Sequence, residues 1–382
     1  MKKWQLLLAV AAFFIIAVFV TAADAVVTRA IEAVRAKKVL DGTDLKVIDD
    51  FLAQAITEIL NTSDFSTVSD TRALILANSA SLEPGQVQFA EQFSESAKKQ
   101  ITAALEKAEQ ITPPARRFKV ITNLLMLVDG LADPRLVDIP LKYADNKNSG
   151  ISYWAVHCLT NHALAEKLNP GKDTEIMRRI TRRLDEIVAN SSPETLGLIA
   201  AFAGSAKTPE SDDILFEIAD RRIASYANWF VRYELLDGSI LQMLADRMES
   251  SSPGKAAAGR RFGQLFSYAL QRYIKGDKVL NKTQKEQLAS VLVDTEKNCL
   301  PKLIKKQVLF GIKKAIEAGD LNALLIEHNN LLGDATKQGV LPAEANFDYG
   351  KDKSGSTLTY PVELASSPQT LGSPQDAAST GS

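Results

Sequence analysis

Ile176-Met177-Arg178-Arg179-Ile180-Thr181-Arg182-Arg183-Leu184-Asp185-Glu186-Ile187-Val188 is the stretch on which the fold reading turns. Its apolar residues, Ile176, Met177, Ile180, Leu184, Ile187 and Val188, return every three or four positions, the period that places side chains on one face of an α-helix. Arg178, Arg179, Arg182 and Arg183 fall on the opposite face, so the stretch predicts a helix with one buried stripe and one basic, solvated one. The pattern continues in both directions. It predicts helices near 26–38, 44–60, 70–79, 87–108, 114–129, 135–144, 150–165 and 193–203, and further ones near 211–225, 229–248, 254–274, 283–295, 302–318 and 321–335. Short breaks such as Asn169-Pro170-Gly171, Ser192-Pro193 and Ser252-Pro253-Gly254 separate them, and loops that short favour antiparallel helical hairpins. Alternation of period two is confined to a hint at Ser356–Tyr360. From Ala343 onward Pro361, Pro368 and Pro374 sit among Ser, Gly and Thr with few large apolar residues, which predicts a disordered or loosely docked tail over 343–382.

With 45 Lys+Arg against 46 Asp+Glu, the 382-residue chain has no global charge to draw it to nucleic acid or an anionic membrane. A hydrophobic share of 46% excludes a wholly disordered chain, and the two cysteines exclude a disulfide-stapled one. Cys158 and Cys299 lie far apart in sequence and are read as free, buried thiols.

Lys2 and Lys3 precede an apolar run from Trp4 to Val20, and Ala23-x-Ala25 follows the small-residue rule for signal cleavage. The reading is a signal peptide over 1–25 cut after Ala25, with Ala22 and Ala23 as other sites. The rival is a membrane anchor over 4–20, which is a little short of the ~20 residues a bilayer requires. Either way the remainder is expected outside the cytoplasm, in the periplasm or extracellular. Asn61, Asn190 and Asn281 head glycosylation sequons, relevant only in a host that modifies exported proteins.

A shift of 75 residues aligns 134–156 with 209–231: Pro134 with Pro209, Asp138-Ile139 with Asp213-Ile214, Ala144-Asp145 with Ala219-Asp220, Trp154 with Trp229, and Val156 with Val231. A unit of that length holds two helical pairs, near the two-helix period of stacked arrays. Ile214-Leu215 through Ala219-Asp220, followed by Val231-Arg232, resembles the HEAT-repeat pattern of an apolar first helix, an Asp in the turn and Val-Arg opening the second helix. Asp133-Pro134-Arg135 with Trp154-Ala155-Val156 is a looser match, with His157 in place of the Arg; in the first match Leu235 stands where a small Ala is usual. The resemblance covers roughly 130–250 and, extended by pattern, 111–342, with 26–110 as an N-terminal helical region. It implies an all-α chain of stacked antiparallel helical hairpins forming a HEAT-like α-solenoid, ahead of the tail read from composition as disordered.

Catalytic motifs are missing from the sequence: there is no G-x-S-x-G, P-loop, G-x-G-x-x-G, H-E-x-x-H or C-x-x-C. His157 and His162 would stand about 140° apart on a helix and cannot chelate one ion. Cys158 and His162 have i, i+4 spacing, but structural zinc requires four ligands. Asp145-Asn-Lys-Asn-Ser-Gly150 imitates a calcium loop, with Lys147 and Val156 where ligands belong, and is read as a helix–helix turn. No catalytic, cofactor or metal residue is therefore assigned.

The partner-binding candidates are basic pairs recurring about every 40 residues: Arg178-Arg179, Arg221-Arg222, Arg260-Arg261 and Lys305-Lys306. In a solenoid they would line one ridge with Arg182, suited to an anionic envelope polymer or an acidic protein surface; the plainer reading is a set of solvated faces neutralised by nearby acids. Tyr226, Trp229 and Tyr233 with Arg222 and Arg232, and Tyr153-Trp154, make a second candidate surface, against the plainer reading of interhelical core. The expected role is that of an exported scaffold or adaptor without catalysis. The alternatives are an envelope-polymer enzyme with an unrecognised carboxylate pair and a membrane-anchored structural protein.

Overall fold

The computed structural model describes residues 28–80, 87–168, 174–206, 209–249, 254–305 and 311–368. The expected signal, its cleavage site at Ala25 and the anchor alternative lie outside these residues. The described chain is mostly helical, and none of its helices is long and apolar enough to cross a membrane. It divides into two compact units between Arg183 and Leu184.

The first unit contains α1 (28–35), α2 (Gly42–Asn61), α3 (Phe65–Ser79), α4 (Val87–Glu109), α5 (Pro114–Leu131), a 3-10 turn (Pro134–Leu136), α6 (Asp138–Tyr143), α7 (Ser149–Leu159) and α8 (His162–Leu168), and ends inside α9 (Thr174–Val188). Asp41 starts α2 by accepting from the backbone N–H groups of Thr43 and Asp44, while Asp44 accepts from the N–H of Asp41, a reciprocal cap that satisfies donors the helix cannot. Ile48, Phe51, Leu52, Ala55, Ile56 and Ile59 then bury one face. They join Phe89, Phe93, Ile101, Leu124, Leu127 and Ile151 in one core. That core runs across position 110.

The second unit continues through α10 (Pro193–Ala206), α11 (Pro209–Ala227), α12 (Leu235–Glu249), α13 (Lys255–Lys275), α14 (Lys282–Asn298), α15 (Leu300–Leu303), α16 (Gly311–Ala318) and α17 (Leu321–Leu332). A two-residue hairpin, β1 (Gly333–Asp334) with β2 (Lys337–Gln338), leads to α18 (Val340–Ala345). Helix α13 is the centre of this unit. It packs against α11, α12, α14, α17 and α18, and from Phe262 to Arg272 every residue is buried. That span includes Gln264, Ser267, Gln271 and Arg272 as well as apolar residues.

Most elements fall where the hydrophobic period places them, and the departures have local causes. The helix expected over 150–165 breaks at Asn161, whose side chain accepts from Ala163 N–H at 2.8 Å and restarts the chain as α8. Gly333, at φ 98°, stops α17 short of 335. The helix expected over 302–318 is seen as α15 and α16, with 306–310 outside the described residues. The helix expected from 229 begins at Leu235. The 75-residue alignment does not survive as shared secondary structure: 138–156 is a helix, a turn and a second helix, whereas α11 runs unbroken through Asp220 to Ala227, so Asp220 is not in a turn.

The expected disordered tail is corrected over 343–368. Phe347, Tyr349 and Leu364 are buried, Tyr349 donates its hydroxyl to the Leu332 carbonyl, and Tyr349 and Gly350 pair with Leu358 across a hairpin-like turn. The period-two hint at 356–360 forms one side of that turn. Residues 369–382 lie outside the described residues.

Asp49 on α2 receives the Ser96 hydroxyl at 2.7 Å, Lys99 at 3.0 Å and Gln100 at 3.1 Å, all from α4. These bonds, Ser96's foremost, bring its carboxyl down to about 2. A carboxyl lowered by folding stabilises fully above its unfolded value of about 3.9, and that contribution is lost as the pH falls through about 2. Asp49 is 38% exposed, so solvent screening trims its worth to about 1 kcal/mol. Asp49→Asn is expected to lower unfolding free energy by that amount in urea at pH 7, and the gap to wild type to close between about pH 4 and about pH 2. A gap that did not change with pH would contradict this account.

Candidate functional site: an aromatic loop built on buried charge

Helix α11 ends in a Schellman motif: Phe230 N–H reaches back to the Ser225 carbonyl and Trp229 N–H to the Tyr226 carbonyl, both at 2.9 Å. The left-handed residue of such an end is usually glycine. Here it is Trp229, at φ 59°, and Tyr233 repeats the conformation at φ 59° before α12 starts. A bulky residue in this region costs on the order of 1–3 kcal/mol, so the surroundings must enforce it.

Two buried arginines do so. Arg222 on α11 forms a fork with Asp237 on α12, at 2.6 and 2.9 Å, and donates to the carbonyls of Arg232 at 2.9 Å and Tyr233 at 3.4 Å. Arg272 on α13 donates to the Trp229 carbonyl at 3.0 Å and meets Glu234 at 3.4 Å. Its guanidinium also lies over the rings of Trp229 and Tyr226 at 5.5 and 5.9 Å, within cation–π range. The Tyr226 hydroxyl donates to Asp237 at 2.7 Å. With these carbonyls turned inward, the side chains of Phe230, Arg232 and Tyr233 face solvent. Phe230 is 48% exposed, Tyr233 55% and Leu235 51%, and the Arg232 guanidinium covers Phe230 at 5.4 Å.

The electrostatics match this geometry. Burial opposes the charge on Arg222, but Asp237's charge and hydrogen bonds outweigh it and hold the guanidinium above its ordinary value. Burial pushes the Tyr226 hydroxyl well up, and the charge of Asp237 adds to that. Burial pushes Glu234 up and Arg272 down, and the Arg272 Nε is without a hydrogen-bond partner. The Tyr233 hydroxyl is raised by its hydrogen bond to Glu194. Beside the loop, a groove of about 540 Å³ runs from Leu235 between α12 and α14, lined by Gly238, Gln242, Ser290, Asp294 and Cys299. Burial pushes the Cys299 thiol up to about 12, too high for a nucleophile at neutral pH.

The candidates named from sequence separate here. Arg232 and Tyr233 are on the exposed loop. Arg222 and Tyr226 are buried under it, which corrects their assignment to a partner surface: burial against Asp237 removes both from reach. Phe230 and Leu235 were missed, because a helical reading of 229–248 hides a loop whose only sign is the run of large residues Trp229-Phe230-Val231-Arg232-Tyr233. The arginines of the basic ladder prove to be paired, while Lys305 is exposed. Arg179 meets Asp138 at 2.6 Å, Arg261 meets Asp220 at 2.7 Å, Arg260 meets Asp348 at 2.8 Å, and Arg221 donates to the Val188 carbonyl. Arg178 pairs with Glu175, and Arg182 has an interaction of its own. Lys306 lies outside the described residues. In the first unit Trp154 packs edge-on to Tyr153 and against the core.

His157 holds Asp129 at 2.9 Å, the Cys158 thiol donates to the Leu125 carbonyl, and exposed His162 faces Glu166 at 3.5 Å. Cys158 and Cys299 are both free and buried, as read. In the 145–150 turn Asn148 accepts from Gly150 and Ile151 N–H and caps α7. The first unit presents two carboxyls, Glu58 and Asp70, to a cleft of about 380 Å³, where the Thr71 hydroxyl donates to Glu58 at 3.0 Å.

No family model matches the chain, and no curated protein matches it. A crystal structure of an engineered protein aligns with 79% of this chain and 95% of its own at 12% identity and a TM-score of 0.21, a likeness too slight to carry any argument.

Removing Asp237 strands the Arg222 charge away from water, a loss of about 3–5 kcal/mol for a buried pair. Asp237→Ala is expected to cost that much in urea unfolding and to raise amide exchange across 230–235. A cost below about 1 kcal/mol would show that the pair does not hold the loop.

Proposed function

We propose that the protein is an exported, non-catalytic helical-repeat scaffold whose partner is another protein, bound through Phe230, Tyr233 and Leu235. The observation that carries this reading is the exposed aromatic pair on a strained loop fixed by buried arginines. Binding hot spots favour large aromatic and Arg anchors, and a loop already held in place loses little entropy when a partner docks. The Lys2–Ala25 pattern supports export. A HEAT-like stacking of hairpins is supported by ion pairs that recur at similar separations: Lys98 with Asp138 at 40 residues, Asp138 with Arg179 at 41, and Asp220 with Arg261 at 41. The same pairs weaken the case for an anionic polymer, because they engage the arginines that would have bound it.

The test is crosslinking of the tagged chain in its native host, with cell fractionation alongside. A specific protein is expected on the wild type, reduced at least about tenfold on Phe230→Ala/Tyr233→Ala of unchanged melting temperature, and retained on Arg178→Glu/Arg260→Glu. Capture unaffected by the aromatic substitutions would remove the loop from the reading; capture lost with the arginines would restore the basic ridge.

A further inference from the structure

The C-terminal segment lies along α13 in a way that goes beyond covering a core. Gly259 and Gly263 admit the rings of Phe347 and Tyr349 so closely that a Cβ at either position would stand 2.7 and 2.8 Å from them. Past the turn at 350–358, the chain returns to the same helix. Gln264 meets Val362 twice, accepting from its N–H at 2.9 Å and donating to its carbonyl at 3.0 Å. One pair of helical turns further, Gln271 accepts from Leu364 N–H at 2.8 Å and Lys275 donates to the Leu364 carbonyl at 2.5 Å. Trp229 Nε1 donates to the Ala365 carbonyl at 3.1 Å. Residues 362 and 364 show the same edge, as alternate residues of an extended strand do. The helix thus reads main chain with side-chain amides in place of a neighbouring strand.

The reading groups are set in advance. Gln271 donates its amide to Ser267 Oγ at 2.9 Å, Ser267 meets His328 Nε2 at 2.8 Å, and His328 Nδ1 faces Asn329 Oδ1 at 2.8 Å. That chain fixes which end of the Gln271 amide faces the peptide. Gln264, Ser267, Gln271 and His328 are all buried. Of the bound segment only Pro361 and Leu364 bury their side chains, while Val362 and Glu363 are exposed and Glu363 pairs with Lys275 at 2.8 Å. Pro361 has no N–H to leave unpaired.

We infer that this face of α13 is a recognition site for extended peptides of the form Pro-x-acid-Leu-small presented by another protein, and that residues 361–365 hold it in cis. Its selectivity rests on main-chain bonds, one leucine pocket and one lysine, all of which an outside peptide of that pattern meets equally well. The cis segment buries only the Pro361 and Leu364 side chains, and Ser366 and Pro368 beyond it are exposed. It competes as a tethered ligand, joined to the docked turn at 349–358 by two residues. The site is separate from the Phe230–Leu235 surface and stands whether or not that surface binds a partner.

The probe is a fluorescent peptide of residues 360–368, titrated by anisotropy against full-length chains. Leu364→Asp should undock the tail, since a carboxylate does not enter the leucine pocket. That chain is expected to bind the peptide at least about tenfold more tightly than wild type. Adding Gln271→Ala should remove most of the gain, and Phe230→Ala/Tyr233→Ala should leave it intact. A folded Leu364→Asp chain with no affinity for the peptide, or affinity equal to wild type, would overturn the proposal. If that variant does not fold, exchange is followed on isotope-labelled wild type with mM unlabelled peptide. Faster exchange at the Val362 and Leu364 amides supports displacement, and unchanged exchange refutes it. A wild type that proves dimeric through exchanged tails would also overturn it, making a second copy the occupant.

Discussion

A guanidinium and a carboxylate, both withdrawn from water, hold the second unit in its working shape. The Arg222–Asp237 fork costs two desolvations, and such a pair seldom outperforms well-packed apolar residues in stability alone. What apolar residues could not supply is the remainder of the guanidinium's donors. Arg222 has hydrogens left for the Arg232 and Tyr233 carbonyls, and Arg272 for that of Trp229. The buried charge therefore converts a connection between α11 and α12 into a rigid presentation of side chains. Everything exposed on the loop is exposed because its backbone is needed inside.

The arginines of the ladder answer to the same logic at the surface. Asp145 and Asp220, aligned by the 75-residue shift, each accept an arginine from a later helix: Arg183 at 2.6 Å and Arg261 at 2.7 Å. The periodicity that suggested a polymer-binding ridge is thus put to use between helices. Each pair is partly exposed and contributes modestly.

Helix positions were legible because burial imposes a period of 3.6 on any helix with one wet face, and α2, α4 and α9 carry that period plainly. Two features escaped for physical reasons. In α13 the buried span carries Gln264, Ser267, Gln271 and Arg272 among its apolar residues, and nothing in the sequence of Lys255–Lys275 marks Gln264 and Gln271 as buried. The tail escaped because composition measures apolar content, whereas its docking relies on backbone bonds and a few anchors, Phe347, Tyr349, Pro361 and Leu364. Arg232 and Tyr233 were found by their chemistry. Arg222 and Tyr226, chosen on the same grounds, proved to be the supports of the surface and not the surface itself, a distinction that depends on Asp237, eleven residues beyond Tyr226.

Trp229 shows why the loop cannot be read from helix-ending rules. Glycine at this position would relieve a left-handed strain of about 1–3 kcal/mol. It would also remove the ring that faces Arg272 at 5.5 Å and the indole N–H that reaches the Ala365 carbonyl. The buried side chain thus offsets the strain through contacts that no small residue makes. It also ties two surfaces together: its carbonyl is held by Arg272 on the loop side, and its indole by the tail. Releasing the tail removes one restraint on Trp229 and leaves the Schellman bonds and Arg272 in place. The loop then keeps its path.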